Sequence, residues 1–362
     1  AGRAAIDKEW DKLEAREAWV LSQVKEKSKV VAEARRLNQT VHFGTLMALC
    51  HIKHSELAKH LQSYKGRVVF RGDDVRDESG YLAVFSEQGT SASHMAAAKM
   101  LDAISRFEDM DGEEADASGA YTQALLGGPP TWISLPKHRW PKDWHSKYDA
   151  PIVPLRLSLY GHPLAGLYWE KHSRERILSV GFEPVTGWEC LFYHPTKKLF
   201  LSVYVDDYKM AGLKANIKPM WKTLLSTGLD LDPPTPLCEG VYLGCSQKNV
   251  EAPQHLLKTK AEFWNAINHV PTVHDESETP LKENPKAVPE PQGSEQTQKV
   301  KVGTKSYKKG HEPRGSSTNQ SSSKALPSQK KEVRAWEYFM GHAEQCVERY
   351  LELSKLPASS LK

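Results

Sequence analysis

The stretch Leu199-Phe200-Leu201-Ser202-Val203-Tyr204-Val205-Asp206-Asp207-Tyr208-Lys209-Met210-Ala211-Gly212 constrains the fold of this chain more than any other. Strand-favouring residues run into two adjacent carboxylates and then resume, which is the pattern of a β-hairpin with its acids at the turn. Strand alternation puts Leu199, Leu201, Val203 and Val205 on one face and Phe200, Ser202, Tyr204 and Asp206 on the other. One face is therefore expected to be core and the other to present a carboxylate. Asp-Asp is also common in turns because Asp tolerates turn geometry, so the pair needs a third carboxylate before it reads as chemistry.

The bulk properties permit a polymer-binding enzyme without demanding one. At 362 residues the chain is long enough for one large or two ordinary domains with a proper core. A net charge of +4 and a pI near 8.6 permit a nucleic-acid partner, although phosphate affinity follows local basic patches more than net charge. Cys50, Cys190, Cys238, Cys245 and Cys346 are scattered, so reduced thiols and an intracellular location, cytoplasmic or nuclear, are expected. Cys50, His51, His54 and His60 include zinc-ligating residue types, but their spacing fits no usual ligand pairing and they read as exposed basic residues. No apolar run is long enough for a membrane span or a signal peptide, and a start at Ala1 points to a piece of something longer.

Helices are expected over Ala4–Ala18, Lys25–Arg36, Ser91–Phe107, Pro163–Val180, Asn216–Gly228 and Leu256–Ile267. Strands are expected over Trp19–Leu21, Val41–Leu49, Lys65–Gly72, Trp188–His194 and Gly240–Gly244. Residues 271–330 are rich in Pro, Ser, Gln, Glu and Lys with one aromatic, Tyr307, and read as a disordered linker whose basic part is a solvated charge run. Val333, Trp336, Phe339, Met340, Val347 and Tyr350 then suggest an amphipathic helix over Lys331–Leu353. The expected division is 1–270 as the main globular part, 271–330 as linker and 331–362 as the C-terminal helix.

Tyr204-Val205-Asp206-Asp207, closed by Ala211-Gly212, resembles the YVDD box of reverse transcriptases, in particular those of copia-type LTR retrotransposons. Asp116-x-x-x-Ala120-Tyr121 resembles the first catalytic box of that family, in which an Asp ends a strand and an aromatic follows five positions later. Lys65-Gly66-Arg67-Val68-Val69-Phe70-Arg71-Gly72 is similar to its K-x-R-x-V-x-x-G fingers strand. Pro154-Leu155-Arg156-Leu157-Ser158-Leu159-Tyr160-Gly161 looks like the segment whose Tyr-Gly contacts the templating base pair. Gly240-Val241-Tyr242-Leu243-Gly244 is similar to the primer-grip strand. The resemblance covers roughly residues 1–260, and its boxes come in the family's order.

The resemblance implies an α+β right-hand polymerase: fingers, a ferredoxin-like palm with an antiparallel sheet, and a partial thumb. It implies RNA-directed DNA synthesis by two-metal-ion nucleotidyl transfer to a primer 3′-hydroxyl. Its partners would be an RNA or DNA template with primer, deoxynucleoside triphosphates, and other parts of a Pol polyprotein such as integrase and RNase H. Asp116, Asp206 and Asp207 would hold two Mg²⁺ ions, with Mn²⁺ as a substitute, Asp116 and Asp206 bridging and Asp207 close by. Arg67 would grip the triphosphate bidentately, and the amides of Ala117, Ser118 and Gly119 would line it as a nest. Tyr121 would pack under the sugar and exclude a 2′-hydroxyl, a plain core tyrosine being the other reading, and Tyr160 and Gly161 would contact the base pair. Glu113, Glu114, Asp73 and Asp74 read as solvated loop charge.

The chain departs from the family pattern in two places. His162 to Gly166 lacks the usual Lys, Gln and Pro, and Tyr208-Lys209 replaces an aliphatic pair. Lys209 reads as solvent-facing or as touching a backbone phosphate. These departures keep a second reading open, a catalytically inactive nucleic-acid-binding remnant of a retroelement.

Overall fold

The hairpin forms where the sequence places it, between β9 (Leu199–Tyr204) and β10 (Asp207–Leu213), strands and helices being numbered along the chain. This computed structural model describes residues 1–53, 55, 59–85, 92–268, 335–339, 347 and 350–357. The hairpin occupies the middle of a six-stranded sheet ordered β11 (Thr235–Pro236), β4 (Met110–Asp116), β10, β9, β8 (Leu191–His194) and β7 (Glu183–Pro184). Every pairing in it is antiparallel.

Helices cover both faces of this sheet, so its interior strands are buried on two sides. On one face α4 (Ala165–Ser179) and α5 (Lys214–Ser226) contribute Trp169, Ile177, Ile217, Trp221 and Leu224 against Leu199, Leu201, Val203, Tyr208 and Met210. Leu199, Leu201 and Met210 are completely buried, each contributing about 1.5–3 kcal/mol of transfer free energy. On the opposite face α3 (Met95–Ile104) packs Ala97 and Leu101 against Leu191, Phe200 and Ala211. The open carboxylate face expected from alternation is thus open only near the hairpin tip. Ser202, further down that face, is buried and donates to the Ser93 hydroxyl at 2.6 Å. His94 caps α3, its Nδ1 accepting from the Ala96 amide.

A second sheet of five strands runs β1 (Lys25–Glu26), β6 (Pro151–Pro154), β5 (Thr131–Ser134), β2 (His42–Lys53) and β3 (Ser63–Phe70). Helix α1 (Gly2–Ala15) lies directly on β3, where a Cβ on Gly66 would come within 2.4 Å of the Ala5 carbonyl. Trp10, Leu13, Val68, Phe70, Ile133 and Val153 form the core beneath it. Helix α2 (Lys27–Leu37) ends at Asn38 in the left-handed conformation and buries Val30 and Ala34 against Phe43 and Ile152. Trp19–Leu21, expected as a strand, contributes only a bridge from Trp19 to Leu155 before a 3₁₀ turn at Leu21–Gln23.

The third sheet joins β12 (Val241–Tyr242), β13 (Cys245–Val250) and β14 (Ala335–Phe339). Residues 335–339, expected as helix, are therefore a strand in full antiparallel register with β13, from Ser246↔Phe339 to Val250↔Ala335. Tertiary pairing overrides a helical stripe here, because Trp336 and Tyr338 also satisfy a period of two. Residues 350–354 are helical as expected.

The chain divides into two compact units, Ala1–Ala252 with Arg334–Lys362, and Pro253–Val333. All three sheets belong to the first. The described part of the second includes α6 (Gln254–Asn268), on which Leu256 and Phe263 are exposed. The expected linker over 271–330 lies outside the described residues. The architecture is α+β, and among the described residues no helix is long and apolar enough to cross a membrane.

Candidate active site

Val205 and Asp206 form a two-residue turn between β9 and β10, and Val205 has φ 56°. A β-branched residue in the left-handed region is an outlier that costs on the order of 1–3 kcal/mol and persists only where its surroundings fix it. Two hydrogen bonds do so: Trp169 Nε1 donates to the Val205 carbonyl at 2.7 Å, and the Ala117 amide to the Asp206 carbonyl at 2.7 Å. The turn is thereby tied both to α4 and to the chain just beyond β4.

Asp207 opens β10 and Asp116 closes β4, and their Cα atoms are register partners. Their carboxyl groups interact with each other, an interaction that lowers Asp116 and raises Asp207. Burial, then the charges of Asp206 and Asp116, push Asp207 up to about 7. Asp116 is also raised, first by burial and then by Asp206 and Asp232. Crowded carboxylates that cannot all ionise are the expected outcome of like charges held together without a counterion.

In strand register Asp116 lies opposite Asp207, not Asp206. The two-residue turn takes Asp206 out of register with β4, which leaves Asp207 opposite Asp116. Asp206 remains near enough for its charge to act on Asp116, Asp207, Tyr121 and Tyr160. Among the described residues no three acidic, thiol or imidazole groups stand ready to hold a metal ion. The donor chemistry nevertheless suits a hard divalent cation, for which Asp116, Asp206 and Asp207 would supply carboxylate oxygens.

One row deeper, Lys209 is the register partner of Glu114. Both were expected to be solvated, and both are buried. Glu114 is pushed up to about 7 by burial, against the opposing charge of Lys209. Lys209 Nζ bonds Asp102 Oδ1 at 2.8 Å, with each side chain 2% exposed. Asp102 comes from α3, which covers this face of the sheet and so makes a solvent-facing or phosphate-touching Lys209 impossible. Glu113 also lies within β4 and is raised by burial. Asp73 and Asp74 are the surface charges expected, bonded to Arg71 and Arg76.

On the tip side, the rings of Tyr121 and Tyr160 have centroids 4.5 Å apart, and the Arg67 guanidinium lies 5.2 Å over Tyr160. The Tyr160 hydroxyl is pushed up to about 12, by burial and then by the charge of Asp206. Gly161 has φ +88°, and a Cβ there would meet the Phe70 carbonyl at 2.1 Å, so the contact between β3 and this loop requires glycine. Arg67, Tyr121, Tyr160 and Gly161 are thus brought together.

Two of the three amides of the expected anion nest are engaged elsewhere. The Ala117 amide is bonded to Asp206, and the Ser118 amide to the Asp230 carbonyl at 2.9 Å. Neither is free for a phosphate, because the turn after Asp116 closes on the chain itself; Gly119, φ +64°, supplies its left-handed step. Arg16 buttresses this turn, bonding Asp230 at 2.7 Å and Thr122 at 3.0 Å, and Ser118 donates to Asp232 at 2.5 Å. These supports were not legible, since their partners lie more than a hundred residues apart.

His162 is a core residue rather than a polar departure. It lies against the Phe70 and Phe85 rings, accepts the Leu164 amide at 3.1 Å just before α4, and is pushed down to about 4 by burial. His51 and His60 are exposed, as expected.

No family model and no curated protein matches the chain.

Proposed function

We propose that the chain is an RNA-directed DNA polymerase, transferring a nucleotide to a primer 3′-hydroxyl with release of pyrophosphate. The observation that carries this reading is the in-register pairing of Asp116 with Asp207 beneath a strained Val205–Asp206 turn, beside the Arg67–Tyr160–Tyr121 stack. In this reading the six-stranded sheet is the palm, the five-stranded sheet belongs to the fingers, and β12–β13 is the primer grip. The motif resemblance in these segments supports it independently.

Two divalent cations, when bound, would activate the attacking hydroxyl and neutralise charge on the phosphates. Asp116, Asp206 and Asp207 are the residues to hold them. Arg67 would neutralise the triphosphate, and Tyr121, with its ring against Tyr160, would form the floor under the sugar. The deoxynucleotides, the nucleic-acid template and any further polyprotein segments are partners in this proposal.

The test is primer extension on a homopolymer template with Mg²⁺ or Mn²⁺. Wild type extends and Asp206→Asn does not; an Asp206→Asn protein with wild-type extension refutes the site. The second reading, a nucleic-acid-binding remnant, is favoured by the Ala117 and Ser118 amides being engaged within the fold. Template binding by a wild type that never extends would decide for it.

A further inference from the structure

The acid pair at the hairpin tip is the outer end of a buried polar seam. One row in are Glu114 and Lys209, then Asp102 from α3, and then two side chains from the third sheet. Gln247 on β13 donates to Asp102 Oδ1 at 2.7 Å, and the Tyr338 hydroxyl on β14 donates to Asp102 Oδ2 at 2.8 Å. Both Asp102 oxygens are thus held, one of them by the C-terminal strand.

The rest of the surroundings make Asp102 and Lys209 dependent on these contacts. Lys209 Nζ lies 4.2 Å from the Tyr242 ring centroid. Arg106 donates to Gln247 Oε1 at 3.0 Å, and its guanidinium stacks 5.0 Å over Trp336 on β14. A cavity of about 350 Å³, lined in part by Lys99, Asp102, Lys209, Tyr242 and Tyr338, runs beside the seam. The cavity thus borders the ion pair, and a buried charge that loses a partner is drawn toward water.

Lys209 and Asp207 are two residues apart and project from the same face of β10. Residues that orient metal ligands from behind alter metal affinity without touching the metal.

We propose that Tyr338 is a positioning residue for the carboxylate site, acting through Asp102 and Lys209 on the orientation of β10. The C-terminal strand thereby becomes part of the site although none of its residues reaches the acids. The inference rests on the polymerase reading for what the acids hold.

The experiment uses the full chain and reads Mn²⁺ binding by electron paramagnetic resonance, together with hydrogen exchange of the amides in residues 199–213. Tyr338→Phe removes a single hydroxyl. It is expected to weaken Mn²⁺ binding about tenfold and to speed exchange at 207–213, with stoichiometry unchanged. A purely structural role would lower the melting temperature or the fraction of competent molecules and leave the affinity of each site intact. Lys209→Met/Asp102→Asn, which removes both charges but keeps partners for Gln247 and Tyr338, cuts the same link and should weaken Mn²⁺ binding to a similar degree. Wild-type Mn²⁺ affinity in either folded variant overturns the positioning role while leaving the polymerase reading standing. A wild type that neither binds Mn²⁺ nor extends a primer overturns both.

Discussion

Replacing Lys209 by Met tests the interior of this protein more severely than any change at the acids. Lys209 and Asp102 are each 2% exposed and 2.8 Å apart, and Asp102 also accepts from Gln247 and Tyr338. Met fills nearly the same volume, so loss of packing is small and the change isolates the charge. It leaves Asp102 as a buried carboxylate with two neutral donors and no cation bonded to its oxygens, Arg106 acting on it only at longer range, and the expected loss is about 3–5 kcal/mol of unfolding free energy. Adding Asp102→Asn removes the stranded charge, while the amide still accepts from Gln247 and donates to the Tyr338 oxygen. The double variant should therefore return to within about 1–2 kcal/mol of wild type. Urea unfolding of the two variants and wild type, followed by tryptophan fluorescence, measures both numbers. The reasoning fails if Lys209→Met alone costs less than about 1 kcal/mol, the worth of an exposed pair, or if the double variant is no better than the single.

Two further outcomes concern pH. Asp207 is raised to about 7 from an ordinary 3.8, so its ionisation is penalised in the folded state, and stability is lost as pH climbs from about 4 toward 7. Asp207→Asn should remove that loss and gain about 1–3 kcal/mol at pH 8, discounted for partial exposure, while abolishing extension; melting curves that stay as pH-dependent as wild type would contradict it. His162 runs the other way, its folded value of about 4 lying below 6.5, so stability is lost as pH falls through that window, by up to about 3 kcal/mol. His162→Phe should flatten the acid limb of the melting profile between pH 6.5 and 4, and an unchanged limb would place the titration elsewhere.

What was legible in the sequence was local. The hairpin bounds and the helix after Gly161 follow from alternation, turn residues and a 3.6-residue period acting over short stretches, whereas the strand ending at Asp116 was implied only by the family resemblance. Lys209 was misread for a reason of the same kind. A lysine on its own is a surface residue, and the Asp102 that makes it a core residue is 107 positions away. A cue existed, because Lys209 interrupts the apolar run from Tyr208 to Ala211 at the centre of a strand, where a solvated charge has nowhere to go. Ala117 and Ser118 look like an anion nest only until Asp206 and Asp230 are seen to take their amides. Residues 335–339 carry apolar side chains compatible with two periods, and only the free edge of β13 selects the strand.

The pairing of β13 with β14 also has a consequence for how the protein is made. Gln247 faces Tyr338 across 91 residues of chain, and a ribosome adding about 5–20 residues per second needs roughly 5–20 s to cover that distance. Through that interval the nascent chain has its β13 edge unpaired and Asp102 without its tyrosine. A ribosome stalled before it reaches Tyr338 yields a polypeptide with Asp116, Asp206 and Asp207 in place but β14 unfinished, so translation through β14 is itself a condition for the finished interior.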